Sequence, residues 1–417
     1  MSDGVRDSAR DGPRGGTRRI FVPGRIELFG KHVDYGGGPS LTCAIGEGIS
    51  AEWEPIERPV IEVEDLTTGR RTRVPLRRDA RPGGVHGGAY VTAVARRLAR
   101  DFSPLKVGVR VRSSSTLPRS SGLSSSSAFV TMLTLALSEA NRLRERRAWR
   151  DHLASPLAFA EYCGAIEMGS AFGPFTGDKG VGTRGGAQDH VAIVCNEAEA
   201  VGAYSYLPAT RMGRAAFPAH WSILVGVSGV RATKTGGALA DFNRASDVVH
   251  DLLRLWNRGT ERLDASLGSA LRSAPDAAAR LTELARNAPD APWFLARIEQ
   301  FRAETERMVP QALQAFETAD AALLGRLSVE SQQCAETALR NQIPETMFLS
   351  RAAMDAGAHG STAFGAGFGG AVWAVVDRDA AEAVRARWKA SYAAAFPQRA
   401  GKAEWLVVRP GAGVRLP

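Results

Sequence analysis

The sequence predicts an α+β protein of two lobes, on three observations. Its 417 residues exceed the roughly 250–300 at which a single hydrophobic core stops growing. From Arg19 to Val74 the chain runs in short β-branched stretches broken by glycine and proline, as strands and hairpins do. From Gly237 to Arg340 it is mostly amphipathic helix interrupted by proline and asparagine.

In chain order, Arg19-Ile20-Phe21-Val22 and Pro59-Val60-Ile61-Glu62-Val63 read as strands, and the stretch from Ala89 to Arg100 as a helix. Lys106 to Arg112 alternates valine with polar residues, the pattern of a half-buried strand, and runs into the breaker Ser113-Ser114-Ser115-Thr116-Leu117-Pro118. Ser124 to Arg144 and Ser155 to Met168 follow as helices, and the glycine-dense segment Gly169 to Gly186 as loop. Val191 to Val194 and Ile223 to Val227 are expected strands, and the glycine-rich run His359 to Gly370 leads into a last strand, Ala371 to Val376. No internal repeat is present.

Composition excludes several classes. No apolar run reaches the roughly eighteen residues of a membrane span. The cysteines Cys43, Cys163, Cys195 and Cys334 are far apart and form no C-x-x-C pair, which argues against a zinc site or a disulfide framework and for a reducing cytoplasm. Residues 1–18 mix Asp, Gly and Arg without an apolar centre, so they read as a disordered extension and not a secretory signal. The net charge of +9 comes from arginines scattered through helical stretches without interleaved aromatics, so no nucleic-acid partner is expected.

Three glycine-rich segments carry the chemistry. Leu117-Pro118-Arg119-Ser120-Ser121-Gly122-Leu123-Ser124-Ser125-Ser126-Ser127-Ala128 is a strand exit, a Gly/Ser loop and a helix start. Free N–H groups at a helix N-terminus make an anion site, and small serines let a phosphate approach. The tetraserine alone fits an ordinary helix cap equally well, and no Gly-Lys-Ser/Thr follows it, so this is not a Walker loop. Pro23 to Gly38 crowds Arg25, Lys31, His32 and Asp34 between glycines. Such a cluster suits a polyhydroxylated ligand, although a solvated hairpin explains the same residues. Gly360-Ser361-Thr362-Ala363-Phe364-Gly365-Ala366-Gly367-Phe368-Gly369-Gly370 marks a place where backbone or ligand approaches closely.

In this order the three segments resemble the signature motifs of the GHMP kinases, most closely the galactokinase branch: G-R-x-N-L-x-G-E-H-x-D-Y-x-G-G, then L-P-x-G-x-G-L-S-S-S-A, then T-G-A-G-F-G-G. The resemblance covers the chain from about Ile20 to its end, including Gly411-Ala412-Gly413-Val414. It implies an N-terminal lobe over residues 19–215, a C-terminal lobe over 216–417, and ATP and a sugar meeting in the cleft between them. Gly185-Gly186-Ala187-Gln188-Asp189-His190 is similar to the family's C-G-x-x-D-Q, which makes Asp189 the expected catalytic carboxylate and Arg25 its partner. By the same resemblance Gly122, Leu123, Ser124, Ser125, Ser126, Ser127 and Ala128 line the triphosphate, Gly365, Gly367 and Gly369 close the site, and Ser126 with Glu167 ligates Mg²⁺. His32, Asp34 and Tyr35 match the family's sugar contacts.

The pattern breaks at four places. Lys31 stands where the branch has a glutamate near the sugar's hydroxymethyl group, and Phe242 where it often has a tyrosine. Glu27 replaces an asparagine, and the loop between Glu167 and Asp189 is longer than usual. A charge reversal facing the substrate at about 4 Å is an effect of roughly 4 kcal/mol at an effective dielectric of about 20. The implied activity is an ATP-dependent sugar 1-kinase acting on galactose, or alternatively on a uronic acid or other modified hexose drawn by Lys31. A catalytically silent sugar and ATP sensor is the reading from another class. The expected partners are ATP, Mg²⁺ and a small sugar, in a monomer or weak homodimer.

Overall fold

The computed structural model describes residues 16–81, 88–119, 121–231 and 238–416, with the side chains of 238–242 outside that description. Strand β1 (Arg18–Phe29) turns through a 3-10 segment at Asp34–Gly36 into the 17-residue β2 (Ser40–Ile56). Hairpin β3 (Val60–Asp65) and β4 (Arg70–Pro75) follows, then β5 (Gly108–Ser115), β6 (Ala200–Ser205) and β7 (Thr210–Ala216). The second sheet holds β8 (Trp221–Val227), β9 (Gly360–Phe364), β10 (Ala371–Asp377) and β11 (Glu404–Val408), after which β12 (Pro410–Gly411) returns to the first.

The first sheet runs β4-β3-β5-β2-β6-β7, with β1 and β12 also on β2. The length of β2 makes this possible. One of its edges pairs antiparallel with β1 from Leu41 to Trp53, and the other is shared by β6, β12 and β5 in turn. The second sheet, β11-β8-β10-β9, is antiparallel throughout, and all seven residues of β8 are buried. Strand alternation explains this double burial. Leu224, Val372 and Ala374 pack with Trp388 and Tyr392 of the helix Ala381–Ala395, while Ile223, Val225, Trp373 and Val375 face the opposite side.

That opposite side is where the two sheets join. Ile26, Leu28 and Phe29 of β1 share one core with Trp221, Ile223, Trp373 and Val375 of the second sheet, and the Phe29 and Trp373 rings meet edge to face at 5.8 Å. The end of β1 is therefore held by both sheets. The helices of 238–302 build a further core with Val33 and Tyr35, clamping the turn between β1 and β2.

Some local expectations fail. Val191 to Val194 lies in a helix, Gln188–Cys195, not a strand. Four apolar residues in a row do not distinguish a buried helical turn from a buried strand, and here every residue from His190 to Val194 is buried. The helix expected to reach Arg144 spans Ser125–Ala140, because Asn141 caps it and donates to the carbonyls of Leu137 and Val107. The glycine-rich run from His359, expected to lead into a strand, itself contains β9, whose Gly360 to Phe364 pair with β10. No helix among the described residues is long and apolar enough to cross a membrane.

Trp373 is fully buried in the shared core, so Trp373→Ala should cost about 3–5 kcal/mol. Hydrogen exchange should show β1 and β2 losing protection together with β8 and β10. Loss confined to the second sheet would contradict a shared core.

Candidate active site

The site is assembled around β1. Arg25 is 3% exposed, and its guanidinium donates from Nε to Asp189 Oδ1 at 2.9 Å, with a second nitrogen 2.7 Å from the same oxygen. It also donates to the carbonyl of Gly122, and the Arg25 backbone N–H bonds to the carbonyl of Leu123. One residue thus ties β1 to the phosphate-type loop and to the helix bearing Asp189. Asp189 lies in that helix's first turn, where the helix dipole favours a carboxylate.

The Gly/Ser loop supplies an open helix N-terminus. Ser124 takes left-handed angles, φ 61° and ψ 41°, and makes no side-chain cap to the helix Ser125–Ala140. Its Oγ is buried without a hydrogen-bond partner among the described residues. First-turn N–H groups that no side chain caps are available to an anion. Across the cleft, Gly365 has φ 77°, and a Cβ there would stand 3.2 Å from the Gly122 carbonyl, so the third glycine segment abuts the first loop directly.

Next to this loop a pocket is lined by Arg25, Glu27, His32, Asp34, Tyr35, Ser127, Glu167, Gly186, Gln188, Asp189 and Ala366 among others. Ser127 Oγ donates to Glu167 Oε2 at 3.0 Å and lies 3.5 Å from Asp189 Oδ2, while His190 Nε2 is 3.2 Å from Glu167 Oε2. Gln188 acts as a bridge, its N–H donating to Asp34 Oδ2 at 3.1 Å and its amide to Glu27 Oε2 at 2.6 Å. His32 Nδ1 and Tyr35 Oη are 3.1 Å apart. A Cβ on Gly186 would lie 2.1 Å from Asp34 Oδ2, so only glycine admits this approach. Burial pushes the Asp34 carboxyl up to about 6 and the Glu27 carboxyl up to about 8, the latter against the lowering pull of Arg25.

Comparison with known proteins matches three sequence profiles: galactokinase galactose-binding signature over residues 14–54, GHMP kinases N terminal domain over 89–171, and GHMP kinases C terminal over 312–394. A galactokinase of Thermococcus kodakarensis is 27% identical across 95% of this chain and 99% of its own length. This chain belongs to the galactokinase branch of the GHMP kinases. A galactokinase of Chloroflexus aggregans is 26% identical over 95% of the chain and 93% of its own length. In fold, the Lactococcus lactis galactokinase complexed with galactose superposes with a TM-score of 0.76 at 20% identity, covering 96% of this chain and 95% of that one. The Methanococcus jannaschii mevalonate kinase superposes with 0.57 at 14% identity, covering 95% and 99%.

Within this GHMP kinase, several expected contacts are placed differently. Lys31 does not line the pocket. It is 2% exposed and its ammonium donates to Thr362 Oγ1 of β9, while its carbonyl accepts from Gln300. Burial lowers its pKa, opposed chiefly by the charge of Glu304, whose carboxylate accepts from the Gly30 N–H and Ser331 Oγ. The charge expected at the substrate is thus spent on internal packing. Of the two expected metal ligands, Ser126 and Glu167, Glu167 accepts a hydrogen bond from the adjacent Ser127 Oγ. Successive helical side chains diverge by about 100°, and Ser126 turns toward the Tyr90 hydroxyl. Leu123 and Ala128 are buried in the core, so only their backbones can serve a phosphate, and Ser125 is exposed. Gly367 and Gly369 adopt positive φ, with Gly367 against Asn341. The side chain of Phe242 lies outside the described residues.

The sequence reading passed over Gln188 and Gly186, whose signal was their adjacency to Asp189, and left Glu27 out of the site although its departure from the motif was visible. It also missed Arg297 and Asn341. Arg297 donates to the Tyr35 hydroxyl at 3.1 Å and to the His32 carbonyl, and Asn341 Nδ2 lies 3.2 Å from His32 Nε2. Arg297 comes from the helix Ala291–Arg302 and Asn341 from the short link before the helix Pro344–Asp355, and neither carries a local motif. The long loop of 169–187 is pinned by a neighbouring helix, Gly88–Asp101, through Arg96 to the Gly180 carbonyl, Arg97 to that of Ser170 and Arg100 to that of Gly177.

Gly186→Ala should displace Asp34 and lower kcat/KM for the sugar by about 10²-fold, with ATP affinity unchanged; an equal loss of ATP affinity would contradict the placement of Asp34. The folded chain holds the Glu27 proton to pH about 8, whereas the ordinary value is 4.5. Wild-type stability from this group is complete at lower pH and declines as pH rises across that window. In urea unfolding at pH 5 and pH 8, Glu27→Gln should lose less stability between the two than wild type, and parallel losses would refute the buried, protonated Glu27.

Proposed function

We propose that the chain is an ATP-dependent galactose 1-kinase in which Asp189 acts on the anomeric hydroxyl. The observation that carries this is the ion pair of Arg25 and Asp189, buried where the open helix N-terminus meets the acceptor pocket. Asp34, His32 and Tyr35 hold the ring hydroxyls, leaving the reacting hydroxyl toward Asp189. That carboxylate orients the hydroxyl and takes its proton, while Arg25 keeps it ionised and offsets charge on the transferring phosphoryl group. The N–H groups of residues 124–127 and the Gly122 turn hold the triphosphate, closed from the other lobe by Gly365.

Oxygen donors of Ser127 and Glu167, with Asp189 beside them, suit a hard cation that takes most of its remaining ligands from phosphate and water. Mg²⁺, when bound, neutralises phosphate charge. Among the described residues no group of three or more His, Cys, Asp or Glu forms a self-sufficient metal site, which fits a cation that arrives with the nucleotide.

Galactose is favoured over a uronic acid because the charge that prompted the alternative, Lys31, is buried on Thr362 and does not line the pocket. Coupled ADP release should be galactose-dependent and exceed that with galacturonate. Asp189→Asn should reduce kcat by about 10²–10⁴-fold while the thermal shift given by ATP persists; undiminished turnover would exclude Asp189, and absence of ADP release from wild type would favour a sensor. Lys31→Met should destabilise the fold by about 1–3 kcal/mol, by stranding buried polar partners, without changing the order of sugar preference. A switch in sugar preference would restore Lys31 to the substrate.

A further inference from the structure

We propose a second binding site, for the phosphate group of a small phosphorylated ligand, in the hollow behind the acceptor pocket. It is lined by Arg244, Val248, Trp293, Arg297, Arg340 and Phe368 with their neighbours, and no acidic residue is among the lining. Arg244 and Arg340 place their guanidinium carbons 4.1 and 4.3 Å from the centre of the Trp293 ring. Both guanidinium groups therefore stack on the indole. Stacking orients each planar fork yet uses none of its hydrogen-bond donors.

The third arginine lies deeper. Arg297 is 2% exposed, bonds through its terminal nitrogens to Gln300, the His32 carbonyl and the Tyr35 hydroxyl, and has an Nε buried without a partner among the described residues. No carboxylate pairs with Arg244, Arg297 or Arg340 among the described residues. Elsewhere arginines of the same helical region are paired, Arg302 with Glu306 and Arg307 with Glu330. Three unpaired cations around an apolar hollow, one of them buried, make a site whose missing element is an anion. A phosphate group, with three acceptor oxygens and up to two charges, answers several converging guanidinium forks better than a single carboxylate does.

The hollow is linked to the acceptor pocket. Arg297 holds His32 and Tyr35 from behind, and Asn341, next to Arg340, contacts His32 Nε2 and the Ala366 carbonyl. An anion drawing on Arg297 and Arg340 therefore alters the seating of His32. The binding claim is independent of the kinase reading; the effect on sugar affinity rests on it.

The test is calorimetric titration of the full chain already saturated with galactose and a non-hydrolysable ATP analogue, so that the phosphate loop and the acceptor pocket are filled. The probes are inorganic phosphate and a hexose 6-phosphate. Binding of either supports the site, and tighter binding of the hexose phosphate identifies a sugar phosphate as the source rather than the free ion. Arg244→Gln with Arg340→Gln, or the exposed Arg340→Gln alone, should weaken that binding about tenfold or more with melting temperature preserved. In wild type the probe should shift the KM for galactose about twofold or more at unchanged kcat, and this shift should vanish in the variants. Failure of both probes to bind the saturated wild type, or equal affinity for the variants, overturns the proposal, whereas lack of turnover with intact probe binding would count only against the kinase reading.

Discussion

The ion pair of Arg25 and Asp189 is the interaction on which the rest of the site depends. Its partners are 164 residues apart, and both are largely removed from water, at 3% and 17% side-chain exposure. Desolvating two charges is costly, and such a pair persists when further hydrogen bonds hold it in one geometry. Here the guanidinium has a third acceptor in the Gly122 carbonyl. Strand, phosphate loop and helix can therefore meet in only one arrangement, with the carboxylate at the mouth of the pocket. The same helix start presents the Gln188 N–H to Asp34, so the Asp189 and Asp34 carboxylates are positioned by consecutive residues.

The pair can be held because β1 is not a surface strand. Its end packs in a core built from both sheets, and the following turn is covered by the helical layer through Val33 and Tyr35. The contact of Gly365 with Gly122 extends this continuity to the loops. Side chains presented from strands and helix ends in a close-packed interior move little relative to one another, which is what preorganised phosphoryl transfer requires.

Charge around the site is layered. Nearest the pocket, Asp34 and Glu27 are buried carboxyls whose protons are held more tightly than usual. Behind them Lys31 and Glu304 stabilise the junction of β1 with β9 and the helices of 303–334. Outermost, Arg297 and the stacked Arg244 and Arg340 face a hollow without counter-charge among the described residues. A replaced motif residue can thus alter packing behind a substrate pocket without entering it, as Lys31 does.

What the sequence by itself determined is the set of parts whose conformation is local. The Gly/Ser loop opening a helix, the charged turn after β1 and the late glycine segment were legible because glycine spacing and helix starts are written in adjacent residues, and Arg25 with Asp189 followed from motif resemblance. Tertiary structure alone decided the directions of side chains. It turned Lys31 onto Thr362, set Ser127 Oγ on Glu167, made a helix of Val191 to Val194, and brought Arg297 and Asn341 behind His32. These outcomes depend on which distant surface each element packs against, and a one-residue step around a turn or helix reverses them while leaving the local pattern unchanged.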